Sequence, residues 1–312
     1  VQPQIALAYL LARATDTIAD TGAISVKQRL QTLQRLQAEI ATGSTDDFDL
    51  GEIRKEQSSE AEKILLARIN DALRLLSKLD ASDRQLVKRV LGIITSGQQL
   101  DLERFRNASR EAIVSLRTPE ELDDYTYRVA GCVGEFWTRM CVTRLNPKPR
   151  VRLEELIANG VRFGKGLQLV NILRDLPTDL RLGRCYLPGE DLALEGLIPE
   201  DLLDAANEQR VRGTYNRWLN VAEGHLQVGW SYVLDLPWSW ARVRLATALP
   251  VLIGVKTLNK LRNENVLNPD KRIKVSREEV KRIFRLSLLF YPVKPVWRKL
   301  PNRIVQNMGS SE

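Results

Sequence analysis

Residues 168–188 read QLVNILRDLPTDLRLGRCYLP. They end a stretch, beginning at Leu153, whose apolar residues recur every three or four positions, the period of a helix buried along one side. Gln168 and Asn171 precede Asp175 by seven and four residues, so the three share a helical face. Asp179 follows four residues later on that face. Two carboxylates at this spacing stand about 6 Å apart at Cβ. Arg174 lies beside the pair, and Gly164 and Gly166 thin the helix just before it. Pro177 falls inside the pair. It removes one N–H and either kinks the helix, re-aiming Asp179, or marks the helix end.

The same Asp spacing occurs at one other place, Asp16 and Asp20 of YLLARATDTIAD (9–20), again after an arginine, Arg13. Aspartate is a poor helix former, and both pairs sit in apolar sequence rather than in a solvated charge run. One such pair alone reads as a surface feature. Two, each with its arginine and apolar flank, read as a helical cavity that binds a diphosphate. Four carboxylates converging there would repel one another unless cations neutralised them. Mg2+ suits the task, because it takes oxygen ligands and bridges one or two carboxylates to substrate phosphates. Arginine side chains would hold the phosphate oxygens in bidentate fashion. In a third segment, YTYRVAGCVGEFW (125–137), Ala130, Gly131 and Gly134 cluster. Glycine inside a helix costs roughly 1 kcal/mol relative to alanine, so the cluster serves either close helix packing or a pocket wall.

Helical periodicity runs through the rest of the chain. Helices are expected at 4–20, 25–41 and 58–78, and from a Ser82 cap with a break or bend near Gly92 or Gly97. Others are expected from Thr118-Pro119 through Tyr125 to Arg144, at 200–234 and 238–264, and from a Ser276 cap. Residues 43–52 (GSTDDFDLGE) and 181–200 read as loops, the latter with short helical pieces. No linker or fixed repeat divides the chain, so residues 1–312 read as one all-α domain of about ten helices.

Composition narrows the function. With 312 residues, 44% hydrophobic and 28% charged, the chain can bury a sizeable core, which excludes disordered and collagen-like readings. No apolar run reaches the roughly 18–20 residues that span a bilayer, and the start lacks the basic-then-apolar form of a signal peptide. Cys132, Cys141 and Cys185 have no metal-ligand spacing, and a reduced, cytoplasmic protein is expected. His225 is the sole histidine, which excludes multi-histidine metal sites; it reads as an ordinary, partly buried or surface side chain. The net charge of +8 is concentrated, since residues 271–312 hold 11 Lys/Arg against 3 Glu. A nucleic-acid binder would spread a basic stripe over its body, so no nucleic-acid partner is expected. Basic residues beside Leu, Phe, Tyr and Trp in the tail, 288–312, suit an anionic membrane surface and a peripheral association. The plainer reading is a solvated helix face followed by an irregular tail. The sequence sets no oligomeric state.

The blocks YLLARATDTIAD, YTYRVAGCVG and QLVNILRDLPTDLRLGRCYLP, in that order and at these separations, resemble the squalene/phytoene synthase family. These are head-to-head prenyl synthases of the all-α isoprenoid synthase fold, with helices around a central cavity, and the resemblance covers nearly the whole chain. It implies condensation of two allylic prenyl diphosphates, with Mg2+ held by Asp16, Asp20, Asp175 and Asp179. It implies that Arg13 and Arg174 face the diphosphate and that Gln168 and Asn171 line the site. Tyr9 and Tyr125 match cavity tyrosines, with Tyr125 assisting proton removal or stabilising a carbocation. Val129, Ala130 and Gly134 would lie along a prenyl-chain tunnel, and Arg184 of GRCYLP in a flap over the site. Family members carry a Ser-Arg-x-Phe-type segment ahead of the first Asp pair, so a further helix before residue 1 is expected.

The continuation EFWTRM after VAGCVG looks most like bacterial squalene synthases. That resemblance implies a farnesyl-diphosphate farnesyltransferase: two farnesyl diphosphates give presqualene diphosphate, which NADPH then reduces to squalene. RIKVSREEV (272–280) resembles the region that contributes basic NADPH contacts, with Lys274 toward the 2′-phosphate, although no Gly-rich dinucleotide fingerprint is present. A phytoene or dehydrosqualene synthase, or an enzyme stopping at presqualene diphosphate, would use the same machinery without reductant. A non-catalytic helical assembly factor is the alternative from another class, and the intact Asp pairs weigh against it.

Overall fold

The computed structural model describes residues 1–43, 48–145 and 151–306. The expected loop at 43–52 and the end of the 288–312 tail lie partly outside them. In chain order the helices are α1 (Gln2–Asp20), α2 (Val26–Thr42), α3 (Gly51–Lys55), α4 (Glu60–Ala67), α5 (Ile69–Ser77) and α6 (Ala81–Arg104). Then come α7 (Pro119–Thr126), a π turn (Tyr127–Gly131), α8 (Cys132–Leu145), α9 (Leu153–Arg181) and α10 (Gly189–Ala193). The last are α11 (Glu208–Asp235), α12 (Ala241–Asn263), α13 (Arg277–Phe290), α14 (Lys294–Arg298) and α15 (Leu300–Gln306). Two short strands, β1 (Val114–Ser115) and β2 (Arg184–Cys185), pair in parallel.

Most boundaries follow local chemistry. Ser25 accepts the Gln28 N–H to open α2, and Gly43, at φ 76°, closes it in the left-handed conformation. Thr118 caps α7, followed by Pro119 in the first turn. Ser276 and Glu279 form a reciprocal capping box on α13. Three expectations fail for physical reasons. The helix expected over 58–78 breaks at Arg68, whose φ and ψ of −102° and 17° leave the helical range. The cap of α6 is Asp80 rather than Ser82, and the helix runs through Gly92 and Gly97 without a break. There α6 packs along both α1 and α2, and tertiary packing outweighs the helix cost of two glycines. The tail folds into α14 and α15 instead of staying irregular.

The chain divides into two compact units, Val1–Arg106 with Glu135–Asn146, and Asn107–Gly134 with Pro147–Glu312. In the first, α1 buries Leu11, Ala14 and Ile18 completely. A fully buried Asp83 there accepts from Gln4 at 2.9 Å and pairs with Arg144, so its charge is matched within the core. In the second, α9 and α11 lie against each other along much of their length, and α12 packs on both. Gly134 and Gly164 let backbones meet: a Cβ at Gly134 would overlap the Gly160 carbonyl, and one at Gly164 the Ala130 carbonyl. Gly134 and Gly164 therefore serve close helix contact. Among the described residues no helix is long and apolar enough to cross a membrane.

Candidate active site

At 100° per residue, Tyr9, Arg13, Asp16 and Asp20 fall within roughly 60° of arc on α1. The opposite side of that helix is buried, so folding turns this stripe outward. Tyr9 is 66% exposed. Arg13 donates to Asp16 Oδ2 at 2.7 Å and to Glu62 Oε1 of α4 at 2.6 Å. Partial burial opposes the charge on Arg13, but Asp16 and Glu62 outweigh it and hold the guanidinium above its ordinary pKa. Asp16 keeps 46% of its side chain exposed.

In the second unit, Gln168, Asn171, Asp175 and Asp179 occupy roughly 80° of arc on α9. Arg174 folds onto Asp175 as a two-pronged fork, at 2.9 Å to Oδ1 and 2.5 Å to Oδ2. Arg272, from the extended segment before α13, adds a third contact at 3.1 Å to Oδ1. Burial works against the charged carboxylate. The Arg174 fork and then Arg272 overcome that penalty and hold Asp175 below its ordinary pKa.

Pro177 does not end α9; the helix continues to Arg181. Without a Pro177 N–H, the Leu173 carbonyl loses its helical donor. The phenol of Tyr215, fully buried on α11, supplies the replacement by donating to Leu173 O at 2.8 Å. The turn that separates Asp175 from Asp179 is thus held from a neighbouring helix.

The other expected residues lie in the second unit. Val129 and Ala130, both half-buried, sit in the π turn, a wide-turn geometry that recurs at functional sites. The Tyr125 ring is buried and stacks on Tyr186 at 4.9 Å between centroids. Arg184 is carried by β2, which β1 fixes through Val114 N–H to Gly183 O at 2.9 Å and Leu116 N–H to Cys185 O at 3.0 Å. Gly183 takes φ 79° against the Ser109 backbone, which leaves no room for a side chain. Lys274 is exposed, and its carbonyl accepts from Lys260 at 3.3 Å. His225 is partly buried beside Gly166, and burial, then Arg162 and Lys165, push its pKa down to about 4. A cavity of about 790 Å³ opens in the first unit between α2 and residues 49–53, and none of the expected site residues lines it.

Each Asp pair offers oxygen donors only, which suits Mg2+ completed by phosphate oxygens and water. Among the described residues no three His, Cys, Asp or Glu side chains gather closely enough to hold a metal by themselves. The donor set therefore fits a cation that a ligand helps to bind. Sequence reasoning missed Glu62, Arg272 and Tyr215. Pro177 announces an orphan carbonyl, though not which residue answers it. Glu62 and Arg272 carry no local signal.

Nearly all helix apart from the short β1–β2 pair, the chain has the all-α isoprenoid synthase fold. A solved complex of TcSQS with a ligand aligns with a TM-score of 0.74 at 22% identity, covering 98% of this chain and 90% of that one. The squalene/phytoene synthase profile matches residues 1–279, and the chain belongs to that family. It is 34% identical over 181 residues to a 15-cis-phytoene synthase of Synechocystis, covering 55% of this chain and 50% of that protein. To a bifunctional lycopene cyclase/phytoene synthase of Colletotrichum graminicola it is 34% identical over 152 residues, 48% of this chain and 25% of the other. The chain thus spans between a quarter and a half of these two curated relatives.

Proposed function

We propose that this protein joins two prenyl diphosphates head to head, residues 1–312 serving that activity as one domain. The observation that carries the reading is the repeated arrangement on α1 and α9: an Asp pair four residues apart with an arginine on its first carboxylate. Asp16 and Asp20, and Asp175 and Asp179, would hold Mg2+. When bound, Mg2+ neutralises diphosphate charge and makes it a better leaving group. Arg13 already donates to Asp16 and Arg174 forks onto Asp175, and both guanidinia can turn to phosphate oxygens. Arg184 adds a cation from the flap. Tyr125, buried against Tyr186, meets the carbocation with a ring face or takes its proton at the phenol oxygen. Gln168 and Asn171 orient the substrate beside the second pair.

The product inferred first is squalene, made from two farnesyl diphosphates through presqualene diphosphate and NADPH reduction, with Lys274 toward the nucleotide. The EFWTRM segment supports it. Formation of phytoene or dehydrosqualene without reductant is the second reading, favoured by the 34% identity to a 15-cis-phytoene synthase. Incubation with farnesyl or geranylgeranyl diphosphate and Mg2+, with and without NADPH, separates them by mass spectrometry of the extract. Squalene only with NADPH supports the first, and a phytoene-type product indifferent to NADPH replaces it. No condensation with either substrate overturns both.

A further inference from the structure

The inner side of α13 is fixed. Ile283 and Ser287 are buried, and Glu279 is gripped by Lys256 at 3.0 Å and Lys260 at 2.9 Å, both from α12. That grip sets the rotation of the helix, so its other side must face outward. There Phe284 is 45% exposed, Leu288 46% and Leu289 66%. Exposed Lys281, Arg282 and Arg285 alternate with them. Glu278 on the same side is paired with Lys281 at 2.8 Å. Beyond the helix end, exposed Val293 extends the apolar strip, and Lys294, Arg298, Lys299 and Arg303 extend the basic one.

This surface is rigid. The tail aromatics that composition associates with a membrane are not on it: Trp297 is fully buried against Trp230 and Tyr291. Trp230 Nε1 donates to Arg298 O at 3.0 Å, and the Tyr291 phenol donates to Trp238 O at 2.7 Å. The aromatic residues anchor the segment, while the leucines, phenylalanine and cations are presented.

We infer that the outer face of α13–α15 docks on an anionic lipid bilayer. The residue types select this occupant. A second copy would bring like charges together, since residues 277–306 hold 8 Lys/Arg against 2 Glu. A nucleic-acid backbone would answer the cations and leave Phe284, Leu288 and Leu289 in water. An anionic bilayer answers both, with acyl chains for the apolar strip and headgroups for the cations.

Flotation of the full chain with phosphatidylcholine vesicles, with and without phosphatidylglycerol, tests the inference. Binding should require phosphatidylglycerol and weaken with salt. The Phe284→Ser/Leu288→Ser/Leu289→Ser variant should lose at least about tenfold in affinity. Arg282→Gln/Arg285→Gln should lose about fivefold for each cation removed. Deleting 288–312 is not a usable test, because it would uncover Trp230. Circular dichroism and thermal melting should match wild type in both variants; if the triple variant unfolds, the charge variant decides alone. Wild type that ignores anionic vesicles, or variants that bind like wild type, would overturn the inference. Dimers in sedimentation that vanish in the triple variant would overturn it in favour of a second copy.

Discussion

In α1, Asp16 is nearly half exposed and meets a single guanidinium, which it shares with Glu62. In α9, Asp175 keeps 23% of its side chain exposed and takes the Arg174 fork together with Arg272. Spacing and residue type are the same, but the surroundings are not. A carboxylate drawn halfway into the protein must bring cations with it, whereas one left in water need not. A metal bound as proposed would compete with the Arg13 guanidinium at Asp16 and with those of Arg174 and Arg272 at Asp175. An arginine displaced in that way would be free to donate to phosphate oxygens.

The largest expected effect is on turnover. Asp16→Asn and Asp175→Asn should each lower kcat/KM about 10²–10³-fold in the condensation assay. Wild-type turnover in either variant would remove that pair from the reaction and break the parallel between the helices. Next comes the support that only the α9 pair has. Tyr215→Phe strands the Leu173 carbonyl and should cost about 1–3 kcal/mol in urea denaturation. In a Pro177→Ala background, where the helix recovers its own donor, most of that cost should vanish; an equal cost in both backgrounds would refute the role.

A smaller effect sharpens the contrast in charge. Arg272→Ala should lower the Mg2+ concentration that half-saturates the shift in thermal unfolding by about two- to fivefold, the worth of an exposed ion pair. A raised or unchanged requirement would show that Arg272 does not compete with the metal. The smallest effect is in acid. Because the folded protein holds Asp175 below its ordinary pKa, its contribution is complete above about pH 4 and fades as pH falls through the folded value. Asp175→Asn should flatten the acid limb of stability by less than about 1 kcal/mol, after discounting for solvent screening. An acid limb as steep as wild type would place the linkage elsewhere.

Both stripes were legible because helical spacing and aspartate's reluctance to enter helices are local facts. The partners were not. Glu62 stands 49 residues from Arg13 and Arg272 97 residues from Asp175, and nothing near any of them marks the pairing. RIKVSREEV suggests Lys274 as a nucleotide contact and gives no sign that Arg272, two residues earlier, reaches the acidic stripe. The cluster at 130–134 allowed packing or a pocket wall, and only backbone proximity at Gly160 decided for packing at Gly134. Boundaries failed where a long-range neighbour outvoted a local signal, as at Gly92 and Gly97, where α6 runs unbroken against α1 and α2.

The π turn at Tyr127–Gly131 has a bearing on how this helix tolerates change in length. Bonds closing over five residues instead of four lodge one extra residue in the coil. Dropping any one of those five would let the backbone close as plain α-helix, and because five residues of π turn wind through nearly the same angle as four of α-helix, later side chains would keep their faces. Gly134 would stay against the Gly160 carbonyl. A one-residue deletion here is taken up by the turn, whereas the same deletion in plain α-helix would rotate every later face by about 100°.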